Sequence, residues 1–192
     1  MTGNEVLKLF YDCGAMLKGH FLLSSGRHSD VYFEKFTLLR QPPYVEKLCS
    51  AMAGIFKDDR VELVVGPTTG GVLIAYEVAK KLGTDSIYAE PGEDGKSRIF
   101  KRGFSIDPGC RVLIVDGVMT TGRSVREVID LCKSYDAEIV GLGLLLDRSG
   151  GKVTFGYPLK PLTTVSAESW EPSECPLCAK GVPLTQRGSR KL

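Results

Sequence analysis

The apolar residues in the first sixty positions follow two different periods. A helix is predicted over residues 4–17, where apolar side chains recur at helical spacing on one face, namely Val6, Leu9, Phe10, Cys13 and Leu17. Two short apolar runs, 21–23 and 31–33, flank the polar, glycine-containing stretch 24–27 and predict a β-hairpin. Pro42 and Pro43 then predict the start of a second helix, because proline is well accommodated in a first helical turn.

From residue 61 onward, short apolar runs alternate with amphipathic stretches. Strands are predicted at 61–65, 86–89, 112–115, 139–146 and 162–165, with helices between several of them. Strands that are apolar throughout and separated by helices are typical of a parallel sheet covered on both faces. The predicted fold class is therefore α/β, with a doubly wound, mostly parallel sheet flanked by helices. We expect one domain of 192 residues, in which 1–60 form a small helix and hairpin cap, 61–166 the core and 167–192 a tail.

Composition and charge narrow the class of protein. Hydrophobic residues make up 43% of the chain and charged residues 25%, as in ordinary globular proteins. The formal net charge of +2 lacks the basic excess of a nucleic-acid or polybasic membrane binder, so neither partner is expected. No apolar run approaches a membrane span. The first seventeen residues mix acids and bases with apolar residues, unlike a secretory signal, which predicts a cytoplasmic location.

The most distinctive chemistry lies in residues 112–124, which read VLIVDGVMTTGRS. A buried strand delivers Asp116 to its end, and a loop of small and hydroxyl residues leads into a helix. Free N–H groups at a helix start, together with hydroxyls, bind anions, and a carboxylate accepts hydrogen bonds from sugar hydroxyls. This order predicts a site for a phosphorylated sugar, and the absence of Gly-Lys-Ser/Thr excludes a Walker loop. The alternative is a plain turn capped by Thr121 or Ser124.

The same stretch closely resembles the phosphoribosyl-pyrophosphate motif of the type I phosphoribosyltransferases, in which two acids precede a Thr/Gly/Ser loop. Gly117 departs from that motif, since it stands at the second acidic position. The loop 66–71 is similar to the family's pyrophosphate loop, and its glycines let backbone amides approach a ligand. The resemblance implies a phosphoribosyl-pyrophosphate site made of Asp116, Gly117, Val118, Met119, Thr120, Thr121, Gly122, Arg123, Ser124, Thr68, Thr69 and Gly70.

Residues 19–33, GHFLLSSGRHSDVYF, resemble the N-terminal signature of the orotate phosphoribosyltransferases, and 145–148 resemble the strand end that carries their orotate-binding arginine. The implied orotate site consists of Thr120, Arg148, Tyr32 and Phe33. A planar guanidinium suits a carboxylate or a ring carbonyl, and aromatic side chains suit a flat ring. The alternatives are core packing for the two aromatic residues and, for Arg148, a surface ion pair with Asp147 or a neighbour.

The resemblance implies transfer of a phosphoribosyl group to orotate, which yields orotidine 5′-phosphate and pyrophosphate in pyrimidine biosynthesis. Mg²⁺ is the implied cofactor, held mainly through the substrate and not directly by the protein. A homodimer is implied as well, because the family's catalytic loop closes from a neighbouring subunit. That loop corresponds to 90–104, whose Lys96, Lys101 and Arg102 join Asp116 as candidate catalytic residues, with Arg98 as a further cation.

Two alternative functions stay open. A phosphoribosyltransferase for another base is disfavoured by the N-terminal signature and Arg148. A regulator that senses phosphoribosyl pyrophosphate and binds nucleic acid is disfavoured by the near-neutral charge.

Cys175 and Cys178, in the sequence CPLC, have the spacing of half a zinc site or of a redox pair. A tetrahedral site needs two further ligands, and the two histidines, His20 and His28, lie far away in the sequence. An ordinary cysteine-containing turn is favoured here, with a site shared by two subunits as the alternative.

Overall fold

The computed structural model describes residues 1–23, 25–95, 97–166 and 168–187. Its helices are α1 (Gly3–Asp12), α2 (Lys35–Leu39), α3 (Pro42–Phe56), α4 (Gly70–Leu82), α5 (Arg123–Lys133) and α6 (Pro176–Ala179). Its strands are β1 (Met16–Leu22), β2 (His28–Phe33), β3 (Leu63–Pro67), β4 (Asp85–Pro91), β5 (Arg98–Ile99), β6 (Arg111–Met119), β7 (Glu138–Asp147), β8 (Leu159–Pro161) and β9 (Thr185–Gln186). None of the helices in these ranges is long and apolar enough to cross a membrane.

Six strands form the central sheet in the order β5-β4-β3-β6-β7-β8. Every neighbouring pair is parallel except β4 and β5, which form an antiparallel hairpin at one edge. The predicted doubly wound, mostly parallel α/β sheet is therefore confirmed. A smaller sheet in the order β2-β1-β9 joins the N-terminal hairpin to the tail of the chain.

The central strands bury both faces, and successive side chains enter two separate cores. On β6, Leu113 and Val115 pack into the core shared with α1, α3 and α4. Val112 and Ile114 point the other way, into the core shared with α5. Because side chains alternate across a strand, a strand buried on both faces must be apolar at nearly every position, as the sequence pattern indicated.

Two predicted elements lie elsewhere in the structure, and one observed helix was not predicted. The first helix ends at Asp12, because Gly14 turns the chain with φ +73°, and Leu17 belongs to β1. The short helix α2 was not predicted. The last ladder of the sheet lies at Leu159–Pro161, and Leu162 to Val165, predicted as the strand, contribute only an isolated bridge between Asp147 and Thr164.

Candidate active site

Two strand-to-helix loops meet at the carboxyl edge of the central sheet. β3 and β6 are neighbouring parallel strands, so the loop from β3 to α4 lies beside the loop from β6 to α5. The first loop is tight: a Cβ atom on Gly66 would lie 2.2 Å from the carbonyl oxygen of Gly71, which only glycine avoids. Thr69 in this loop is exposed, Thr68 is half-buried, and the peptide bond between them is cis. Gly70 begins α4.

Asp116 is buried inside β6, three residues before the strand ends at Met119. Its carboxylate accepts a hydrogen bond from the backbone N–H of Gly117 at 2.7 Å and one from Oγ of Ser124 at 2.9 Å. Burial raises the pKa of the Asp116 carboxyl, and the positive charge of Lys35 is the largest opposing influence. Ser124 therefore braces the acid and does not cap α5, the role that the plain-turn alternative gave it.

Lys35 is a site residue that the sequence reasoning missed. Cβ atoms built on Gly70 and on Gly117 would lie 3.6 Å and 3.9 Å from its Cδ. The lysine chain thus runs between the two strand-end loops, and its charge acts on Asp116. The available signal was its place directly after the hairpin, at the first residue of α2.

The loop from β6 to α5 exposes hydroxyls above a constrained turn. Thr120 and Thr121 are exposed, and Gly122 adopts φ +73° immediately before the first turn of α5. A Cβ atom on Gly122 would lie 2.6 Å from Cζ of Phe155. This position therefore requires glycine both for its positive φ and for the lack of space. The N–H groups in the first turn of a helix lack partners within the helix, so together with these hydroxyls they can bind an anion. Val118, between Gly117 and Met119, is half-buried in the strand.

Two arginines tie the β4–β5 hairpin to the two strand-end loops. The Nη1 of Arg98 donates to Oγ1 of Thr68 at 3.2 Å, and its Nε lies 3.0 Å from Oε2 of Glu127. Arg123 contacts the same glutamate, at 2.7 Å from Oε1, and donates to the carbonyl oxygen of Gly95 at 3.0 Å. Glu127 therefore holds both guanidinium groups beside the loops.

Of the candidate catalytic residues in the 90–104 loop, Lys96 lies outside the described residues. Lys101 and Arg102 are exposed, and Nε of Arg102 lies 3.3 Å from Oε1 of Glu90. In this conformation Arg102 is therefore paired within its own hairpin.

Arg148 lies at the end of the strand next to β6. Its backbone N–H donates to the carbonyl oxygen of Met119 at 2.8 Å, which fixes it beside the start of the loop from β6 to α5. Its guanidinium donates to the carbonyl oxygen of Val31 at 3.3 Å and lies 5.5 Å from the ring centroid of Phe33. Burial lowers the pKa of Arg148, and Tyr32 is the largest opposing influence.

The alternative of a surface pair with Asp147 does not match this geometry. Asp147 is buried, and its carboxylate accepts hydrogen bonds from the backbone N–H groups of Ser149 at 2.7 Å and Gly151 at 3.1 Å. Within the described part of the chain, Arg148 forms no salt bridge.

The two aromatic candidates on β2 have different surroundings. Phe33 is buried, and it packs edge-on against Phe10, with ring centroids 5.8 Å apart, as well as against Arg148. Tyr32 is half-buried and packs on Phe21, with ring centroids 5.6 Å apart. Burial raises the pKa of the Tyr32 hydroxyl. Phe33 thus has a core role in addition to its place beside the arginine.

Comparison with known proteins places this arrangement in a family. The family model for the phosphoribosyl transferase domain matches residues 37–171. The orotate phosphoribosyltransferase of Caldicellulosiruptor bescii is 47% identical over 191 residues, with 100% of each chain covered. The chain belongs to the orotate phosphoribosyltransferase family. The orotate phosphoribosyltransferase of Desulforamulus reducens, 46% identical over 192 residues, agrees, again with 100% of each chain covered.

Solved structures of the orotate phosphoribosyltransferase family share the fold. The enzyme from Aeropyrum pernix superposes with a TM-score of 0.68 at 28% identity, over 83% of this chain and 93% of that one. The Mycobacterium tuberculosis orotate phosphoribosyltransferase, in a complex with Fe(III) dicitrate, has a TM-score of 0.69 at 22% identity, over 84% and 95% of the two chains. The second likeness supports the fold alone.

Gly117 is the point at which this orotate phosphoribosyltransferase chain departs from the motif expected at 116–117. It is buried, and a Cβ atom there would lie 3.4 Å from Cδ1 of Ile74 and 3.9 Å from Cδ of Lys35. These are ordinary contact distances, so a Cβ atom fits at this position without displacing Ile74 or Lys35.

A second group of functional side chains lies away from these loops. His20 and His28 on the N-terminal hairpin, and Cys175 and Cys178 in the tail, have their potential ligand atoms within 4.8 Å of one another. Sequence reasoning set the histidines aside because of their distance along the chain. The pairing of β9 with β1 and the bridge between Trp170 and His28 bring the tail onto the hairpin.

Proposed function

We propose that this chain transfers the 5-phosphoribosyl group from phosphoribosyl pyrophosphate to orotate, giving orotidine 5′-phosphate and pyrophosphate in pyrimidine biosynthesis. One observation carries the proposal beyond the family name. The backbone N–H of Arg148 donates to Met119 at the start of the loop for the sugar phosphate, while its guanidinium lies against Val31 and Phe33 on β2. A base held by Arg148 therefore lies next to a ribose held by Asp116.

The base side of the site suits an acidic, planar ring. Arg148 uses one guanidinium nitrogen on Val31, and its remaining N–H groups are available in a fixed fork. Such a fork matches a carboxylate or two carbonyl oxygens and discriminates against bases that lack them. Thr120, exposed after Met119, adds a hydroxyl at the same edge of the sheet. Tyr32 and the buried Phe33 ring contribute the aromatic part of this pocket.

The phosphate side supplies positive charge from two directions. Lys35 reaches the gap between the loops, and Arg98 braces Thr68 from the other side. The N–H groups and hydroxyls of 119–124 hold the 5′-phosphate, and the backbone of 68–70 holds the diphosphate. These groups stabilise the charge that develops on departing pyrophosphate. Alignment of the ring nitrogen with the anomeric carbon supplies the rest of the rate enhancement. No protein nucleophile is required.

Mg²⁺ fits the donors of this site as a substrate-borne cofactor. The carboxylate of Asp116 already accepts two hydrogen bonds, and its remaining acceptor sites would serve the ribose hydroxyls and not a cation. A hard cation here would take most of its oxygen ligands from the diphosphate and from water. Bound in that way, it would neutralise charge on the leaving group.

The proposal includes a homodimer in the cytoplasm. Leu73 and Tyr76, one turn apart on α4, are 50% and 64% exposed and form an apolar strip that suits a second copy. The 90–104 loop, with Lys96, Lys101 and Arg102, would then close over a neighbouring site and exclude water from the activated sugar. Sedimentation at assay concentrations tests this, and a fully active monomer would contradict it.

The experiment for the activity follows the loss of orotate absorbance with Mg²⁺ and phosphoribosyl pyrophosphate, with uracil, hypoxanthine and adenine in parallel. We expect turnover with orotate alone. Turnover with another base would refute the base assignment. Binding of phosphoribosyl pyrophosphate without turnover of any base, together with retention on heparin at physiological salt, would support the regulator instead.

A further inference from the structure

Four metal-ligating side chains converge between the N-terminal hairpin and the tail, away from the substrate loops. Nε2 of His20 lies 3.0 Å from Nδ1 of His28, 3.3 Å from Sγ of Cys175 and 3.8 Å from Sγ of Cys178. Nδ1 of His28 lies 3.3 Å from Sγ of Cys178. Both histidines and Cys175 are buried, whereas Cys178 is exposed.

These separations are those of ligands around one tetrahedral ion. With Zn–N bonds of about 2.05 Å and Zn–S bonds of about 2.3 Å, a regular tetrahedron separates two nitrogens by about 3.3 Å and a nitrogen from a sulfur by about 3.6 Å. The four contacts between His20, His28 and the two cysteines depart from these values by about 0.3 Å at most. The two remaining pairs, His28 with Cys175 and Cys175 with Cys178, lie within 4.8 Å, so a shift of about 1 Å would complete tetrahedral coordination.

One acceptor in this cluster is shared by three neighbouring side chains. Nδ1 of His20 lies 2.8 Å from the carbonyl oxygen of Val182, which can only accept, so Nδ1 carries the proton. In the neutral ring, Nε2 then offers a single lone pair, towards which His28, Cys175 and Cys178 all converge. A metal ion would use that lone pair and the other three ligand atoms together. The bond to Val182 is also the outer contact that commonly orients a metal-binding histidine.

The tail has no apolar core that explains its position. From residue 171 to 187, Cys175 is the one buried residue, and the local elements are a 3₁₀ turn at Pro172–Glu174, the four-residue α6 and the two-residue β9. Segments with so little buried area need another constraint, and a bound metal is a common one.

We propose that His20, His28, Cys175 and Cys178 of one chain bind a structural Zn²⁺ that fastens the tail to the N-terminal hairpin. Two nitrogens and two thiolates in a tetrahedral arrangement are a zinc ligand set, and four protein ligands leave no open position for catalysis. The site is intramolecular, because all four ligands come from one chain.

The zinc site supports the base pocket without touching it. His28 begins β2, the strand that carries Tyr32, Phe33 and the carbonyl oxygen of Val31. Loss of the ion would loosen one end of this strand, while the phosphate loops on the central sheet would keep their structure.

The first test measures metal in protein that is produced in zinc-supplemented medium and dialysed against metal-free buffer. We expect about one zinc ion per chain, since a closed site of this type binds tightly. Replacement by Co²⁺ should give the ligand-field absorption of a tetrahedral site with thiolate ligands. These two readouts use the wild-type chain and are independent of orotate turnover.

Variants assign the site to these residues. Cys178→Ser, at an exposed position, should lower retained zinc at least about tenfold, because thiolate ligands hold the ion far better than a hydroxyl. Cys110→Ser is the matched control: this half-buried thiol lies outside the cluster and its loss should leave zinc unchanged. Zinc removal should also speed hydrogen exchange at the bridged amides of His28 and Trp170.

Three results would overturn the proposal. They are wild-type protein that retains no zinc after dialysis, zinc that persists undiminished in Cys178→Ser, and a native chain whose mass shows Cys175 and Cys178 joined as a disulfide. Inactive protein that still holds zinc would refute the proposed reaction alone.

Discussion

Replacement of Lys35 by methionine tests the charge that the structure places between the two phosphate loops. Methionine keeps much of the aliphatic chain that lies over Gly70 and Gly117 and removes the ammonium group. A hydrogen bond to a charged group contributes about 1.5–3 kcal/mol, so kcat/KM for phosphoribosyl pyrophosphate should fall about 10- to 150-fold. The KM for orotate should change much less, because Arg148 and not Lys35 lies at the base end of the site.

The pH profile of the same variant gives a second readout. The positive charge of Lys35 is the largest influence that holds down the pKa of buried Asp116, so its removal raises that pKa further. Asp116 must be ionised to accept hydrogen bonds from the ribose, and activity is therefore lost as pH falls through its pKa. In Lys35→Met this acidic loss should begin at a higher pH than in the wild type.

Lys160→Met is the matched control for this experiment. The Lys160 amine lies 4.6 Å from the ring centroid of Phe56, as that of Lys35 lies 5.4 Å from the ring centroid of Phe36, and it pairs with Asp59 at 3.0 Å, next to the amino ends of the strands. Its loss should leave both KM values and the pH profile unchanged. Wild-type kinetics and an unshifted profile in Lys35→Met would refute the role assigned to Lys35.

Three further predictions follow from the site geometry. Burial raises the pKa of Asp116, so its ionisation lowers the stability of the protein as pH rises. Asp116→Asn should therefore lose activity yet melt at a higher temperature than the wild type at pH 7, and this difference should disappear below about pH 4. A lower melting temperature at pH 7 would contradict this. Arg148→Lys should raise the KM for orotate about 10- to 150-fold with little change in the KM for phosphoribosyl pyrophosphate. The control Arg111→Lys, at the amino end of β6, should change neither KM. Equal effects of Arg148→Lys on both KM values would exclude base recognition. Gly122→Ala should lower the free energy of unfolding by about 1–3 kcal/mol more than Gly156→Ala. Both glycines have positive φ, but only Gly122 faces Phe155. Equal losses of unfolding free energy in denaturant titrations would show that the clash is relieved.

The fold was largely predictable because its signals are local. Strands apolar on both faces and amphipathic helices alternate along 61–166, and this pattern leads to a covered parallel sheet. The predicted element boundaries were wrong where a single glycine or a short element determined them. Gly14 ended the first helix early, and five-residue α2 carries too few apolar positions to show a period.

The candidate substrate site likewise contains residues that the sequence identified and residues that only the structure revealed. Asp116 and its loop are contiguous in the sequence, so a single motif identified them. The signal for Lys35 was weak, a position after the hairpin, because it enters the site only when the hairpin and α2 place it over two glycines from separate strand ends. Arg148 was selected by its position at a strand end, but the tertiary structure alone shows it bonded to Met119 and turned towards Phe33.

The sequence by itself determined the layered α/β fold, the two candidate phosphate loops and half of a possible metal site, because each depends on neighbours in the chain. Only the tertiary structure decided that Lys35 lies between those loops and that His20 and His28 complete a ligand set with Cys175 and Cys178. The physical reason is chain topology: parallel pairing of β9 with β1 joins segments that are more than 150 residues apart, and no local period records such a contact.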